Sequence, residues 1–528
     1  MINSIDLTKC TGCGTCFKSC SLDVFRIDTQ QQSNAPCMAS CPAGTDIRGY
    51  NALLQQGKVD EALALLRRAN PFPAITGRVC PHPCEQKCAR AAVDFPVNIN
   101  AIEEYLGGIS LQDALPPAKT RHLAPIAIIG SGPAGLSCAW YLTELGYAVT
   151  IFEAQPQAGG MLRYGIPAYR LPVEIVDTYI QQLREAGVAI QCNTTVGTHG
   201  DISIGTLRRR RFKAVLVATG ASLSHTLPLQ GMDHAGVRQG LQFLHDVRCG
   251  LITAMNGDVL VVGGGDVAMD AAITAKHLGA ASVRIVARKQ EADLRALPHN
   301  IADAHREGII FSCGWSPRAI RAKHGQLTLE ICPCTSKQDA SGQFSAVCHE
   351  EQTECLTAAQ IIFATGQRVD TKLFADELAA TAQGHYAAMP DAAASSGIFA
   401  AGDAVTGPAT VIHAIAGGRE AAFSIHRFLR GSYVHVRKKE RSLVSNLPHD
   451  GIAAIPRNER VDGTLPFDTH ALLAESMRCM TCGSKAKIAY SDDCMTCFTC
   501  EVRCPSGAID VHPFKEVLPR TLEIACEE

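Results

Sequence analysis

Residues 124–153 read APIAIIGSGPAGLSCAWYLTELGYAVTIFE. An apolar run enters Gly130-x-Gly132-x-x-Gly135, with Pro133 and Ala134 between the last two glycines, and a second apolar run ends at Glu153. Strand, glycine-rich turn, helix, strand and acid in that order make the dinucleotide fingerprint in its proper context. The glycines permit a tight turn and close approach of backbone to a pyrophosphate. The helix presents its positive end to the phosphates, and Glu153 can accept from ribose hydroxyls. The three glycines alone are weak evidence; the flanking strands, helix and acid make the signal strong.

Working outward, residues 258–290 repeat the pattern as DVLVVGGGDVAMDAAITAKHLGAASVRIVARKQ. Gly263, Gly265 and Ala268 take the three positions, with Gly264 and Asp266 beside them. The second strand ends in Arg288 and Lys289 instead of an acid. Cations there suit the 2′-phosphate of NADP, whereas an acid favours NAD; an ordinary solvated strand end is the plainer alternative. Ala218-Thr219-Gly220 and Ala364-Thr365-Gly366 each close an apolar strand, and a further strand-to-turn at 397–422 carries Gly402 and Asp403.

The chain has 528 residues, enough for three to four domains at about 150 residues each. It is 46% hydrophobic and 19% charged, which excludes a disordered or collagen-like chain. A formal charge of −2 gives no sign of a nucleic-acid or membrane-surface binder. No apolar run is long enough to span a bilayer, and MINSIDLTKC lacks the basic and apolar regions of a secretory signal, so a cytoplasmic location is expected.

Cysteine is the unusual residue in this composition: 15 of the 24 fall in three clusters near the chain ends. Disulfide frameworks suit short secreted chains, and zinc sites favour two separated C-x-x-C pairs or histidine. Here Cys10, Cys13, Cys16 and Cys20, and again Cys494, Cys497, Cys500 and Cys504 before Pro505, follow C-x2-C-x2-C-x3-C. That is the ferredoxin spacing for [4Fe–4S] clusters, in which the fourth cysteine of each run ligates the other cluster of a pair. Ser21 stands where proline is usual in the first run. Crosswise pairing gives Cys10, Cys13 and Cys16 with Cys504, and Cys494, Cys497 and Cys500 with Cys20. The alternative is that each run closes a cluster alone or with another subunit.

The order of motifs resembles the flavoproteins with two dinucleotide-binding domains, in which the NAD(P)H domain is inserted into the FAD domain. The resemblance implies an α/β fold of two Rossmann-like domains, with Asp403 holding the ribityl and phosphate region of FAD. GGMLRYGIPAYRLP at 159–172 and the stretch 41–88, CPAGTDIRGYNALLQQGKVDEALALLRRANPFPAITGRVCPHPCEQKC, resemble more closely the small subunit of bacterial glutamate synthase. They are also similar to the N-terminal half of dihydropyrimidine dehydrogenase and to NADPH subunits of electron-bifurcating transhydrogenases. By motif match Gly159, Gly160, Leu162 and Arg163 line the flavin. Independently of any family, Leu53, Leu54, Ala62, Leu63, Leu65 and Leu66 recur at helical spacing and read as core.

In that family an α-helical domain carries two [4Fe–4S] clusters. The match implies Cys41, Cys80, Cys84 and Glu103 at one cluster, and Cys37 and Cys88 at the other. Relatives complete the second cluster from a C-x-x-C just upstream, which this chain lacks; it has Arg478-Cys479-x-x-Cys482-Gly483 near the other end. Fifteen cysteines and one glutamate make sixteen ligands, enough for four clusters, within an expected range of two to four.

The expected organisation is a ferredoxin-like [4Fe–4S] segment at 1–33, an α-helical Fe–S domain at 34–120, FAD-binding parts at 121–220 and 365–430 around an NADPH domain at 221–364, a linker at 431–470, and a ferredoxin-like 4Fe–4S domain at 471–528. The expected function is electron transfer between NADPH and a ferredoxin or catalytic partner subunit through FAD and the clusters. The alternatives are the small subunit of a glutamate synthase or dihydropyrimidine dehydrogenase type complex, and a non-catalytic iron–sulfur scaffold. Hydride transfer needs no side-chain acid or base, so no catalytic residue is expected. Three further features have plain readings: Cys332 and Cys334 as surface thiols, His413 as a packed or capping residue, and the basic stretch 430–443 as a solvated linker.

Overall fold

The computed structural model describes residues 33–115, 122–387 (without 324, 339–343 and 350) and 397–431. Toward the two ends it describes 2–6, 9–10, 16, 19–20, 22, 24–27, 442–443, 452–457, 468–482, 486–488, 491, 494–504 and 507–511. The fold packs as two units: 1–77 with 82–110 and 436–528, and 78–81 with 111–435.

The second unit contains two parallel five-stranded sheets. In the first, His122–Ile129 is central, between Ala214–Val217 and Tyr147–Phe152; Ile398–Ala400 and Ala189–Gln191 lie outside them. In the other, Asp258–Val262 pairs with Ser282–Ala287 and Gln360–Phe363, with Ile310–Cys313 and Val237–Gln239 at the edges. The central strands are continuous apolar runs because helices cover both faces of a parallel sheet. The chain enters and leaves the inserted sheet through Leu223–Ser224 and Gln367–Arg368, paired antiparallel just beyond the two Ala-Thr-Gly turns.

Helix Val411–Leu429 returns against helix Pro133–Glu144 at very close range. A Cβ on Gly418 would lie 2.2 Å from the Ala134 carbonyl oxygen, and Ser137 Oγ donates to Ile415 O at 2.8 Å. The two halves of the first nucleotide domain, nearly 300 residues apart in sequence, are thus joined backbone to backbone. An antiparallel excursion, Trp315–Lys323, Gln326–Gln338, Phe344–Cys348 and Glu354–Ala358, extends the inserted domain.

The first unit has two parts. Helices Ile47–Leu54, Val59–Arg67 and Ile99–Ser110 bury Leu54, Leu63, Leu66 and Ile102, with Leu53 and Leu65 packed at the margin as the helical spacing expects. The terminal segments form the other part. Ile2–Ile5 pairs antiparallel with Ile509–Val511, and Phe25–Ile27 with Ala486–Ile488. No helix among the described residues is long and apolar enough to cross a membrane.

Candidate cofactor and cluster sites

In the first nucleotide loop each glycine has its own reason. Gly130 has φ +98°, and a Cβ there would meet Ala218 O at 2.5 Å. A Cβ on Gly135 would lie 2.1 Å from Gly130 O, so the helix can start against the strand only without a side chain. Gly132 caps helix Pro133–Glu144 and faces open space, the cradle a pyrophosphate needs. Gly160 leans on the loop, where its Cβ would come within 2.8 Å of Gly132 Cα.

Glu153 is buried and fixed: it accepts from Ser131 N at 2.9 Å, Ser131 Oγ at 2.5 Å and Gln155 N at 2.9 Å. Leu162 is fully buried, and Arg163 is tied to Ala158 O, Gln157 and Asp177. Gly402 has φ +66°, and a Cβ there would meet Ala134 Cβ at 2.8 Å, which brings Asp403 to the start of the first-loop helix. The Asp403 Oδ1 atom is buried without a hydrogen-bond partner, and burial pushes its carboxyl up to about 6. An unsatisfied buried acceptor beside an open phosphate cradle fits a bound, hydroxyl-bearing dinucleotide.

The second loop repeats the scheme with one change. Gly263 abuts Ala364 O, Gly264 lies under Leu294, and Gly265 caps helix Asp266–His277 facing open space. Ala268 sits fully buried at the third position. Asp266 Oδ1 is satisfied by Leu297 N at 2.8 Å and Asn300 Nδ2 at 2.7 Å. Arg288 is exposed at the strand end, and Lys289 is held below the usual lysine range by burial and then by Arg295. Gly220 and Gly366 both take positive φ at the Ala-Thr-Gly turns. Arg170 and Tyr169 of the 159–172 motif both bind Asp270, Arg170 at 2.8 Å and Tyr169 at 3.2 Å, and so anchor the motif to the helix of the inserted domain.

The helical part of the first unit gathers the cysteines of the second set. Burial raises the Cys37 thiol well above its usual range, and Cys479, Cys482 and Cys88 facing it raise it further. Cys482 is raised likewise by burial, then by Cys479 and Cys88. Neighbouring thiols thus hinder the ionisation of Cys37 and Cys482, and a cationic cluster held by the four would reverse that electrostatic cost. The C-terminal pair is placed by a buried ionic anchor. Arg478, fully buried, bonds Glu475 at 2.6 Å, Asp94 at 2.9 Å and Phe95 O at 2.6 Å. Glu475 also accepts from Asn98 N at 2.7 Å, and Gln55 donates to Ser476 O and Cys479 O.

The fully buried Tyr50 donates to Glu103 at 3.2 Å, and Glu103, Cys84 and Cys37 all disfavour its ionisation. Burial pushes the Glu103 carboxyl up to about 7. Cys41 packs into the same core as Cys84. Cys80 follows helix Pro73–Val79 and belongs to the segment grouped with the second unit.

At the chain ends Cys20, Cys494, Cys497 and Cys500 line one cavity, walled by Leu22, Val24, Phe25 and Phe498. Burial raises the Cys500 thiol, helped by Cys20 and Cys494, whereas hydrogen bonds from Thr499 lower Cys497. Cys16 and Cys504 pack into the adjoining core, and Cys10 is partly buried. Cys13, Gly483 and Pro505 lie outside the described residues, as does most of the basic stretch 430–443.

His413 is exposed and bonds the Thr410 hydroxyl at 2.7 Å in the first turn of helix Val411–Leu429. The surface-thiol reading of Cys332 and Cys334 is corrected: both are buried, and Cys334 is bonded to Cys348. Their strand alternation gave no hint, because the partner lies on a separate strand.

Residues 124–418 match the family described as pyridine nucleotide-disulphide oxidoreductase, and the chain belongs to that family. It is an NAD(P)H-dependent flavin and iron–sulfur oxidoreductase, since residues 29–114 match the 4Fe-4S domain II of dihydropyrimidine dehydrogenase. The chain is similar to an NADP(+)-dependent formate dehydrogenase subunit beta of Moorella thermoacetica, 33% identical over 85% of this chain and 70% of that protein. It is also similar to the NAD-dependent dihydropyrimidine dehydrogenase subunit PreT of Salmonella typhimurium, 36% identical over 75% of this chain and 91% of that protein. The NADPH-Fe(3+) oxidoreductase subunit beta of Geobacter sulfurreducens is 33% identical over 81% of this chain and 68% of that protein.

Proposed function

We propose that the chain is an electron-input subunit that moves electrons between NADPH and a partner subunit or ferredoxin, with FAD and four [4Fe–4S] clusters held by its own residues. The observation that carries this is the convergence of cysteines from opposite chain ends within the first unit, in a chain that also holds two dinucleotide loops. When bound, FAD supplies hydride acceptance from the nicotinamide and release of single electrons to the clusters. Gly132 and the helix behind it hold its pyrophosphate, and Asp403 Oδ1 accepts from its hydroxyls. Gly265 and its helix hold the pyrophosphate of NADPH, and Arg288 and Lys289 pair with the 2′-phosphate.

By motif match the ligand sets are Cys41, Cys80, Cys84 and Glu103; Cys37, Cys88, Cys479 and Cys482; Cys494, Cys497, Cys500 and Cys20; and Cys10, Cys13, Cys16 and Cys504. The relatives named as subunits support a partner protein. A cytoplasmic location follows from the exposed thiols and clusters this scheme requires. The relative named for dihydropyrimidine dehydrogenase favours a second reading, the small subunit of a pyrimidine-reducing complex.

Anaerobic titration with NADPH, followed by flavin and iron–sulfur absorbance, tests the proposal. Uptake of clearly more than the electron pair FAD can hold is expected, with iron near 16 per chain, about four irons in each of four [4Fe–4S] cubanes. Iron far below that count would sink the four-cluster scheme; bleaching of the flavin alone would mean clusters too low in potential or absent, and would overturn direct electron flow from NADPH into them.

A further inference from the structure

Strand Gln326–Gln338 carries Cys332 and Cys334 two residues apart, so both side chains leave one face of the sheet. Phe344–Cys348 runs antiparallel to it and sets Cys348 opposite Cys334, with the Cα atoms 4.1 Å apart. His349 N donates to Pro333 O at 2.9 Å, which marks Cys334 and Cys348 as a pair lying between ladder bonds, where facing side chains approach most closely. Thr335 and His349, bonded to each other at 3.1 Å, take the opposite face. All three sulfurs lie within 4.8 Å of one another, and Cys332 and Cys334 are only 2% and 6% exposed. The structure joins Cys334 to Cys348, and Cys332 is a third sulfur beside that bond.

A disulfide uses two sulfurs, so a third buried on the same face calls for another chemistry. Zinc bonded to thiolates at about 2.3 Å sets the sulfurs about 3.8 Å apart, so breaking the Cys334–Cys348 bond lets that pair part to this spacing while Cys332 already lies within 4.8 Å of both. We propose that Cys332, Cys334 and Cys348, once the Cys334–Cys348 bond is reduced, bind one thiophilic divalent cation of the zinc class, with the fourth position open to water. A dithiol gives two electrons and two protons to the disulfide and itself closes to a cyclic disulfide. The cation then displaces one proton from each of the three thiols. None of these cysteines is among the proposed cluster ligands, so the site is independent of the electron path.

The test uses the full chain with its flavin and clusters, reduced anaerobically with dithiothreitol, desalted, exposed to Zn2+ and desalted again. Zinc, iron and FAD are then measured per chain. One zinc is expected in the wild-type chain, and roughly tenfold less in Cys332→Ser and Cys348→Ser with iron and FAD unchanged. Iodoacetamide labelling read by mass spectrometry provides a second measurement on the unmodified chain, so a serine variant that fails to fold does not leave the question open. Zinc is expected to slow labelling of Cys332, Cys334 and Cys348 together. Equal zinc uptake by wild type and variants, or labelling of the three that zinc does not change, overturns the site and leaves a plain disulfide staple.

Discussion

The two nucleotide loops solve one backbone problem with different third residues. At Gly135 the carbonyl of Gly130 lies where a Cβ would go, whereas the equivalent Ala268 fits, fully buried. The strand ends differ as well: Glu153 is locked onto Ser131, and Arg288 is exposed beside Lys289. Even the acids differ, since Asp266 is satisfied inside its own domain and Asp403 Oδ1 is not. The first loop leaves no room for a side chain at its first or third glycine. The second accommodates a methyl group at its helix start, and its strand ends in a pair of cations.

Breaking the tight loop carries the largest expected effect. Gly135→Ala forces helix from strand and costs about 3 kcal/mol, as overpacking does; FAD content and the thermal midpoint should both collapse, and retention of both would refute the packing argument. Removing one cation of that pair comes next. Arg288→Ser or Lys289→Ser loses a charge-assisted bond of about 1.5 kcal/mol, so KM for NADPH rises roughly tenfold. KM for NADH should hold steady, and a parallel rise for both nucleotides would mean the residues act structurally.

Asp403 sharpens the comparison through pH. Burial raises its folded-state pKa to about 6, above the unfolded value of about 3.9. Its contribution to the stability of the flavin-free chain is therefore complete below the unfolded value and is lost as pH rises through the folded one. Urea midpoints of Asp403→Asn, compared with wild type between pH 4 and 7, should gain on wild type as pH rises, while FAD binds the variant more weakly. A pH-independent difference would remove Asp403 from this role. The smallest effect is expected for Ala268→Gly, about 1 kcal/mol from helix propensity alone, with NADPH binding intact.

Much of this was legible in sequence. Glycine spacing between apolar runs is a local rule, so both loops could be read at once, as could the helices around Leu54 and Leu63. Other features were not. The unsatisfied Oδ1 of Asp403 depends on helix Val411–Leu429 closing onto helix Pro133–Glu144, and no local pattern encodes that approach. Cys332 and Cys334 looked like surface thiols because a strand's own alternation does not reveal what the next strand sets opposite it.

The sequence by itself determined the chemistry of the parts: two dinucleotide loops, ferredoxin cysteine runs at both ends, and a displaced Arg-Cys-x-x-Cys pair. These signals survive in isolation because each rests on spacings of a few residues. Spacing offered the crosswise pairing beside an alternative, and only tertiary structure decided which cysteines meet. Cys20 reaches Cys494, Cys497 and Cys500 because the first and last strands pair across almost the whole chain. Cys479 and Cys482 reach Cys37 because buried Arg478 and Glu475 lock their segment onto Asp94 and Asn98. Charges taken out of water must find partners wherever the chain can bring them, and spacing along the sequence does not say where that is.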